Sequence, residues 1–413
     1  MGDAIMGHAH PRSIAALLVA TLLLGTAESQ AQIAVRGDMV YTMAGPPIQD
    51  GVILISDGRV LQIGPAADVT IPDGYRRIEA AVVTPGLIDA HSVVGLAGYL
   101  NQADDQDMLD RSAPIQPELR ALDAYDPAER LIEWIRGFGI TTVHTGHAPG
   151  ALIAGQTLVV KTTGTLDDSA IVIPTAMVTA SLADLARGSE NGSPGTRGRM
   201  VAMLRAALLE AQRYQIEQET SGNERPARDL QLEILGRVLA REMPLLITAH
   251  RAHDIMTALR LAKEFEFDMI LDGAAEAPLI LDELAEAQIP IIVHPTMYRA
   301  TGETEHLSFE TAATLHDARI PIALQSGFEP YVPRTRVVLF EAGMAAAHGL
   351  PFDAALATIT IGAATILGID DRVGSLEIGK AGDIALFDGD PFEYTTHCIG
   401  VIIDGIVMSE DAR

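Results

Sequence analysis

Short segments in which apolar and polar residues alternate follow residue 31 and return near the end of the chain. Alternation with a period of two is typical of half-buried β-strands. Asp57-Gly58 and Asp404-Gly405 separate neighbouring segments and favour hairpin turns. We therefore predict a small β-sandwich domain built from both termini, residues 32–80 and 372–413. The alternating segments are Ile33–Arg36, Met39–Met43, Gly51–Ser56, Arg59–Ile63, Asp383–Asp388 and Gly400–Met408.

Between these segments, apolar runs of strand length alternate with longer stretches of helical periodicity. This order predicts an α/β fold with parallel strands, a (β/α)8 TIM-like barrel over residues 81–371. The predicted strands are Val82–Ala90, Thr141–Thr145, Thr157–Thr162, Leu245–Ala249, Asp268–Leu271, Ile289–Val293 and Pro321–Gln325. The predicted helices are Pro127–Phe138, Arg197–Glu219, Ala227–Arg241, Asp254–Phe265, Leu279–Ala287, Phe309–Ala318 and Arg334–His348.

Residues 1–31 have the pattern of a signal peptide. Arg12 precedes an apolar run, Ile14 to Leu24, that is too short to span a bilayer. Ser29 and Ala31 are the small residues expected before a cleavage site. We predict an exported protein, in the bacterial periplasm, with no membrane association after cleavage.

Composition narrows the classes of partner. The 413 residues carry a formal net charge of −26 and only 4% aromatic residues, which argues against nucleic acid as a partner. The single cysteine, Cys398, excludes an internal disulfide. We expect a small-molecule substrate, and a homodimer is the base-rate expectation for assembly.

Six histidines fall at or just after predicted strand ends, where a barrel places its reactive groups. A cluster of this kind favours metal binding or acid–base chemistry over structural roles. The six are His91, His144, His147, His250, His253 and His294.

The run Val83-Thr84-Pro85-Gly86-Leu87-Ile88-Asp89-Ala90-His91-Ser92-Val93 resembles the first barrel strand of the amidohydrolase superfamily. The resemblance is to its imidazolonepropionase-like and prolidase-like branch and covers nearly the whole chain after residue 31. It includes Pro117–Ala121, Gly155–Thr157 and the tail Arg372–Asp383. The resemblance implies a TIM-like barrel and metal-dependent hydrolysis of carbon–nitrogen bonds in non-peptide substrates, small amides or dipeptides.

The resemblance also assigns metal ligands residue by residue. His91 matches the first histidine of the motif, Lys161 matches a lysine that bridges two metals when carboxylated, and His250 matches the fifth-strand histidine. Three positions depart from the family pattern. Val93 replaces the second motif histidine, Gly273 replaces a sixth-strand histidine, and Gly327 replaces the eighth-strand aspartate that exchanges protons with the attacking water.

These departures leave two interpretations open. In the first, His144, His147 or His294 completes a site for zinc or another divalent metal, with one or two ions, and Asp272, His294 or Glu329 is the catalytic base. In the second, the chain is a catalytically silent member that binds a small anionic ligand.

Four side chains are candidates for substrate binding. Gln156 follows a glycine turn near the barrel mouth, and Arg251 is adjacent to His250. Arg334 and Arg336 come just after the eighth strand, where a guanidinium suits a substrate carboxylate.

Overall fold

The computed structural model describes residues 32–100, 102–188, 194–220, 225–329 and 336–413. The predicted signal peptide and Arg334 lie outside these residues. Within them, no helix is long and apolar enough to cross a membrane.

The strands follow the predicted order, with additions that the sequence did not reveal. They are β1 (Ile33–Val40), β2 (Ile48–Ser56), β3 (Arg59–Pro65), β4 (Arg76–Pro85), β5 (Leu87–Ser92), β6 (Ile140–Thr145), β7 (Ile153–Gln156), β8 (Leu158–Lys161), β9 (Ile171–Ile173), β10 (Val178–Ser181), β11 (Leu245–Ala249), β12 (Met269–Gly273), β13 (Ile291–Val293), β14 (Ile322–Leu324), β15 (Ile384–Phe387), β16 (Cys398–Ile403) and β17 (Ile406–Ser409).

The helices are shorter than predicted in most cases, and two were not predicted. They are α1 (Arg130–Arg136), α2 (Arg197–Thr220), α3 (Leu230–Leu239), α4 (Ala252–Phe265), α5 (Leu281–Ala287), α6 (Thr311–Asp317), α7 (Val338–Ala347), α8 (Phe352–Thr358) and α9 (Ile361–Leu367).

Strands from both ends of the chain form one seven-stranded sheet, in the order β17-β16-β15-β4-β1-β2-β3. The prediction that both termini contribute to one β unit agrees with this sheet. The seven strands belong to a single hydrogen-bonded sheet, and the predicted sandwich packing of this domain stays a prediction. The single strand predicted over Val82–Ala90 is in fact divided at Gly86 between β4 and β5, which belong to different sheets.

Two further sheets surround a common interior, with strand orders β5-β6-β8-β9 and β14-β13-β12-β11-β10-β7. The chain crosses between them at Thr157, whose backbone N–H donates to the Met177 carbonyl at 2.9 Å. At the opposite edge, the Ser326 N–H donates to Asp89 Oδ1 at 2.9 Å and the Gly327 N–H donates to the His91 carbonyl at 3.1 Å.

This arrangement differs from a regular (β/α)8 barrel in one respect that matters for the site. β10 to β14 are mutually parallel, and so are β5 and β6, but β8 runs antiparallel to β6 and β7 runs antiparallel to β10. The described barrel strands therefore do not form one continuous parallel sheet.

Alternation along the strands divides the core into an inner and an outer layer. Leu246 belongs to the inner cluster, while its neighbours Leu245 and Ile247 pack in the outer cluster toward the helices. Residues of α9 pack in the inner cluster too, which closes the interior at the end where the parallel strands begin. The inner strand residues are Ile88, Ala90, Val159, Leu246, Ile270, Ile292 and Ala323.

Candidate functional site

A pocket opens where the parallel strands end. Four of the groups that line this pocket are His91 in β5, His250 after β11, Asp272 in β12 and His294 after β13. We call these four residues the pocket cluster. Carboxyl ends of parallel strands meet at one face of a barrel, which explains why residues so distant in sequence meet here. The other lining residues are Ser92, Val93, Pro149, Thr248, Gly273, Pro295, Tyr298, Gln325, Gly327 and Phe328.

His91 and Asp272 form a buried charge pair. His91 Nδ1 lies 3.3 Å from Asp272 Oδ1, and both side chains are about 95% buried. Burial disfavours the imidazolium, but the charge of Asp272, its hydrogen bond to the ring and the charge of Asp89 together raise the pKa of His91. Asp272 therefore favours protonation of His91, and a metal bound at His91 Nε2 would have to displace that proton.

Two neighbouring side chains fix the Asp272 carboxylate. The Thr248 hydroxyl donates to Asp272 Oδ2 and the Gln325 amide donates to Oδ1, each at 2.6 Å. Burial opposes ionisation of Asp272, but the charge of His91 and these hydrogen bonds lower its pKa to about 2. Asp272 is thus a fixed anion at the bottom of the pocket.

His294 carries a lone pair with no partner. Its Nδ1 lies 2.9 Å from the Pro295 carbonyl oxygen. Because a carbonyl oxygen can only accept a hydrogen bond, Nδ1 carries the proton of the neutral ring and Nε2 is unprotonated. Burial lowers the pKa of His294 to about 4, so the ring is neutral at physiological pH. Nε2 is buried and has no hydrogen-bond partner.

Gly273 makes room for the His250 ring. A Cβ at position 273 would lie 2.6 Å from His250 Cε1, and the φ of Gly273 is +89°. The imidazole therefore occupies the space that a side chain at the sixth-strand position would need. Burial lowers the pKa of His250, so His250 is a second neutral imidazole in the pocket.

The donor chemistry of the pocket cluster fits a divalent metal ion. His91 Nε2, His250 Nδ1 and His294 Nε2 are buried ring nitrogens without hydrogen-bond partners, which is costly unless a ligand satisfies them. Neutral imidazole and carboxylate are ordinary zinc ligands. Within the described ranges, however, no three His, Cys, Asp or Glu side chains are already arranged to hold a metal.

The structure places Lys161 away from the pocket cluster. Because β8 is antiparallel to β6, Lys161 pairs with Thr142 near the start of β6, at the opposite end of the barrel. Its Nζ lies 3.0 Å from Asp383 Oδ1 and 2.6 Å from Asp404 Oδ1. We call these three residues the Lys161 cluster. Two carboxylates hold the lysine as an ammonium, so we leave it out of the proposed metal site.

His144 and His147 also lie off the pocket wall. Both ring nitrogens of His144 are bonded, to the Ala90 carbonyl and to the Thr157 hydroxyl, each at 2.7 Å, so neither is free for a metal. Burial lowers the pKa of His144 to about 3. His147 is buried against Gly155, where a Cβ would lie 2.5 Å from its Nε2.

The candidate substrate residues are held by other groups. Arg251 Nη1 pairs with Asp184 Oδ2 at 2.8 Å, and Arg336 Nη2 pairs with Glu329 Oε2 at 2.5 Å. The Gln156 amide donates to the Pro117 carbonyl at 2.9 Å. Arg251, Arg336 and Gln156 do not line the pocket. Glu329, expected as a base, is thus the buried partner of Arg336, while Arg334 lies outside the described residues.

Sequence reasoning missed Thr248 and Gln325, which orient Asp272. Thr248 is two residues before His250 along β11, and Gln325 directly follows β14. The period-two rule applied to strand ends would have selected Thr248 as a neighbour of His250 on the same face.

Comparisons with known proteins agree with this fold. The model of the amidohydrolase family matches residues 93–408. The chain is 26% identical over 381 residues to an imidazolonepropionase of Rhizorhabdus wittichii, covering 86% of this chain and 92% of that protein. It is 24% identical over 398 residues to the amidohydrolase tasK of Hapsidospora irregularis, covering 87% of this chain but only 40% of that larger protein.

A crystal structure of an amidohydrolase from Thermotoga maritima superposes with a TM-score of 0.85 at 28% identity. The match covers 91% of this chain and 99% of that chain. Such similarity over nearly both full lengths supports a TIM-like barrel with α/β content.

Proposed function

Because the chain belongs to the amidohydrolase family, we propose that it hydrolyses a carbon–nitrogen bond in a small non-peptide amide or dipeptide with metal-activated water. The observation that carries this proposal is the pocket cluster, in which three buried ring nitrogens without partners and one fixed carboxylate line a single pocket. Unsatisfied buried donors and acceptors are costly for stability, so their concentration in one pocket supports ligand binding there.

His91, His250 and Asp272 are the groups that we assign as holders of zinc or another divalent ion, since a catalytic zinc site takes three protein ligands. A bound ion would polarise the substrate carbonyl and lower the pKa of water. These three groups do not yet surround one point, so binding requires at least one side chain to rotate.

His294 is the proposed proton acceptor. Its Nε2 lone pair is unprotonated and unpartnered, and its Nδ1 proton is retained by the Pro295 carbonyl. It can take a proton from water and return it to the leaving nitrogen. Asp272, with a pKa of about 2, is a weaker base, which suits it to holding the metal rather than to proton transfer.

The first test is metal content by elemental mass spectrometry, on protein purified without chelator or a histidine tag. We expect about one equivalent of zinc or a similar ion. It should be lost in a His91→Ala/His250→Ala double variant and kept in His253→Ala, whose side chain is 61% exposed.

The same preparations are then assayed for hydrolysis of small uncharged amides and dipeptides. Turnover that depends on the metal and on His294 supports the proposal. A folded protein that contains no metal, binds none when it is added, and cleaves none of these compounds contradicts it.

A further inference from the structure

The long helix α2 (Arg197–Thr220) packs on the barrel with one face and leaves the opposite face open to solvent. Four of its side chains are buried in the outer core cluster, Met200, Leu204, Leu208 and Ala211. The open face nevertheless carries two large apolar side chains, since Leu209 is 53% exposed and Ile216 is 61% exposed. Their spacing of seven residues is the spacing that keeps side chains on the contact face of paired helices.

The open face changes in size along the helix. At intervals of three and four residues it consists of Ala202, Ala206, Leu209, Arg213 and Ile216, all of them exposed. The small side chains are in its N-terminal half and the large ones in its C-terminal half. If two copies of this helix lie antiparallel with Leu209 at the centre, Ala202 faces Ile216 of the second copy and Ala206 faces Arg213. Large side chains then meet small ones along the whole contact.

The charges on this face also fit an antiparallel arrangement. Arg199 and Glu217 are 18 residues apart, which is five turns of an α-helix, so both lie on the same flank of the open face. In the antiparallel pair, Arg199 of each copy lies opposite Glu217 of the other. Within its own helix, Glu217 is 3.6 Å from Arg213, on an exposed surface where such a pair contributes little.

The order of these charges is unfavourable for the helix by itself. The helix dipole favours acidic residues in the first turn and basic residues in the last turn. α2 has neither, and it places Arg199 near its start and Glu217 near its end. The same order becomes favourable when a second, antiparallel copy places a carboxylate beside each arginine.

We propose that the protein forms a homodimer through α2, with the two helices antiparallel about a two-fold axis that passes close to Leu209. A two-fold interface must be complementary to itself, and this face meets that condition in both size and charge. A single pair of helices is a small interface, so we expect a dissociation constant of about 1–100 μM. The proposal is independent of the proposed activity, because none of these residues lines the pocket.

The test is analytical ultracentrifugation of the full chain between about 1 and 300 μM. At an ionic strength of about 0.15 M the Debye length is about 8 Å, so the long-range repulsion from the net charge of −26 is largely screened. We expect a monomer–dimer equilibrium. Leu209→Glu places two carboxylates at the two-fold axis and should raise the dissociation constant by about 10-fold or more.

The matched control is Leu166→Glu, which makes the same change at a leucine that is 82% exposed outside α2 and should leave the equilibrium unchanged. Because both leucines are exposed, neither substitution disturbs the core. A protein that is monomeric at every concentration, or a dimer that Leu209→Glu does not weaken, would overturn the proposal.

A charge exchange tests the direction of the helices. Arg199→Glu places a carboxylate opposite Glu217 of the second copy and should weaken the dimer. The double variant Arg199→Glu/Glu217→Arg restores opposite charges and should recover most of the loss. A double variant that dissociates as readily as Arg199→Glu would overturn the antiparallel arrangement.

Disulfide formation under oxidising conditions tests the position of the axis. Leu209→Cys should form a covalent dimer, because identical residues come close together only at a two-fold axis. Ala202→Cys should not link to itself but should link to Ile216→Cys in a mixture. The native Cys398 is buried and does not compete. Linkage of Ala202→Cys to itself, without linkage of Leu209→Cys, would overturn the proposed axis.

Discussion

The Lys161 cluster and the pocket cluster lie at opposite ends of the barrel, and they differ in how their polar atoms are satisfied. In the Lys161 cluster, the ammonium lies between two carboxylates, at 3.0 Å from Asp383 and 2.6 Å from Asp404. In the pocket cluster, three buried ring nitrogens have no partner. A satisfied buried cluster stabilises a fold, whereas an unsatisfied one lowers stability and prepares a site for a ligand. Both clusters contain residues that match metal ligands in sequence, and only their surroundings distinguish them.

The largest effect that this comparison predicts is on activity. His294→Ala removes the proposed proton acceptor and should lower kcat by about 10²- to 10⁴-fold, measured as amide hydrolysis. The matched control is His253→Ala, which removes an exposed histidine and should leave kcat unchanged. Full activity in His294→Ala would assign proton transfer to another group.

The next effect is on stability, at the opposite end of the barrel. Lys161→Met leaves Asp383 without its cation, and it should lower the free energy of unfolding in urea by about 3–5 kcal/mol. Lys380→Met breaks the more exposed pair with Glu377 and should cost no more than about 1 kcal/mol. If Lys161→Met is as stable as the parent protein but loses metal, then the Lys161 cluster does not have the structural role that we assign to it.

A smaller effect is expected at Gly273, whose backbone conformation makes room for the His250 ring. Gly273→Ala places a Cβ against the His250 ring, so the affinity for the metal should fall. It also imposes a positive φ on alanine, so the free energy of unfolding should fall by about 1–3 kcal/mol. Gly368→Ala imposes a similar φ, +68°, where no atom lies near, and should lower stability alone. Equal metal affinity in the two variants would show that the His250 ring is not held by Gly273.

The last prediction depends on pH and concerns Glu341, a buried carboxylate. Burial raises its pKa from 4.5 to about 7, against hydrogen bonding from Met297 and the charge of Arg336, while Asp89 and Glu329 raise it further. Since the folded pKa is raised, its contribution to stability is complete below about pH 4.5 and is lost as the pH rises through about 7.

Glu341→Gln should therefore gain stability relative to the parent protein as the pH rises from 4.5 to 7, measured by urea unfolding at several pH values. A difference that does not change with pH would mean that Glu341 does not titrate in this range.

The sequence predicted much of the fold because periodicity and turn residues are local signals. The strand at Leu245–Ala249 matches β11 residue for residue, and the hairpin turns at Asp57-Gly58 and Asp404-Gly405 connect β2 to β3 and β16 to β17. The strands that were missed, β7, β9 and β10, are three or four residues long and carry too little pattern to detect.

The candidate site was predicted less completely, since strand direction and side-chain partners are not local properties. His91, His250, Asp272 and His294 were expected at strand ends and do line one pocket. Lys161 was also expected there, but nothing in its sequence neighbourhood shows that β8 is antiparallel to β6. Likewise, Arg251 and Arg336 looked available for substrate because their partners, Asp184 and Glu329, are fixed only by tertiary structure.

The sheet formed by both ends of the chain has a consequence for biosynthesis. β4 pairs with β15, roughly 300 residues later, so one edge of β4 has no partner strand until nearly the whole polypeptide has left the ribosome. Contacts so distant in sequence form slowly, and an open strand edge promotes association between chains. We therefore expect the first four strands to be prone to association between chains until β15 pairs with β4.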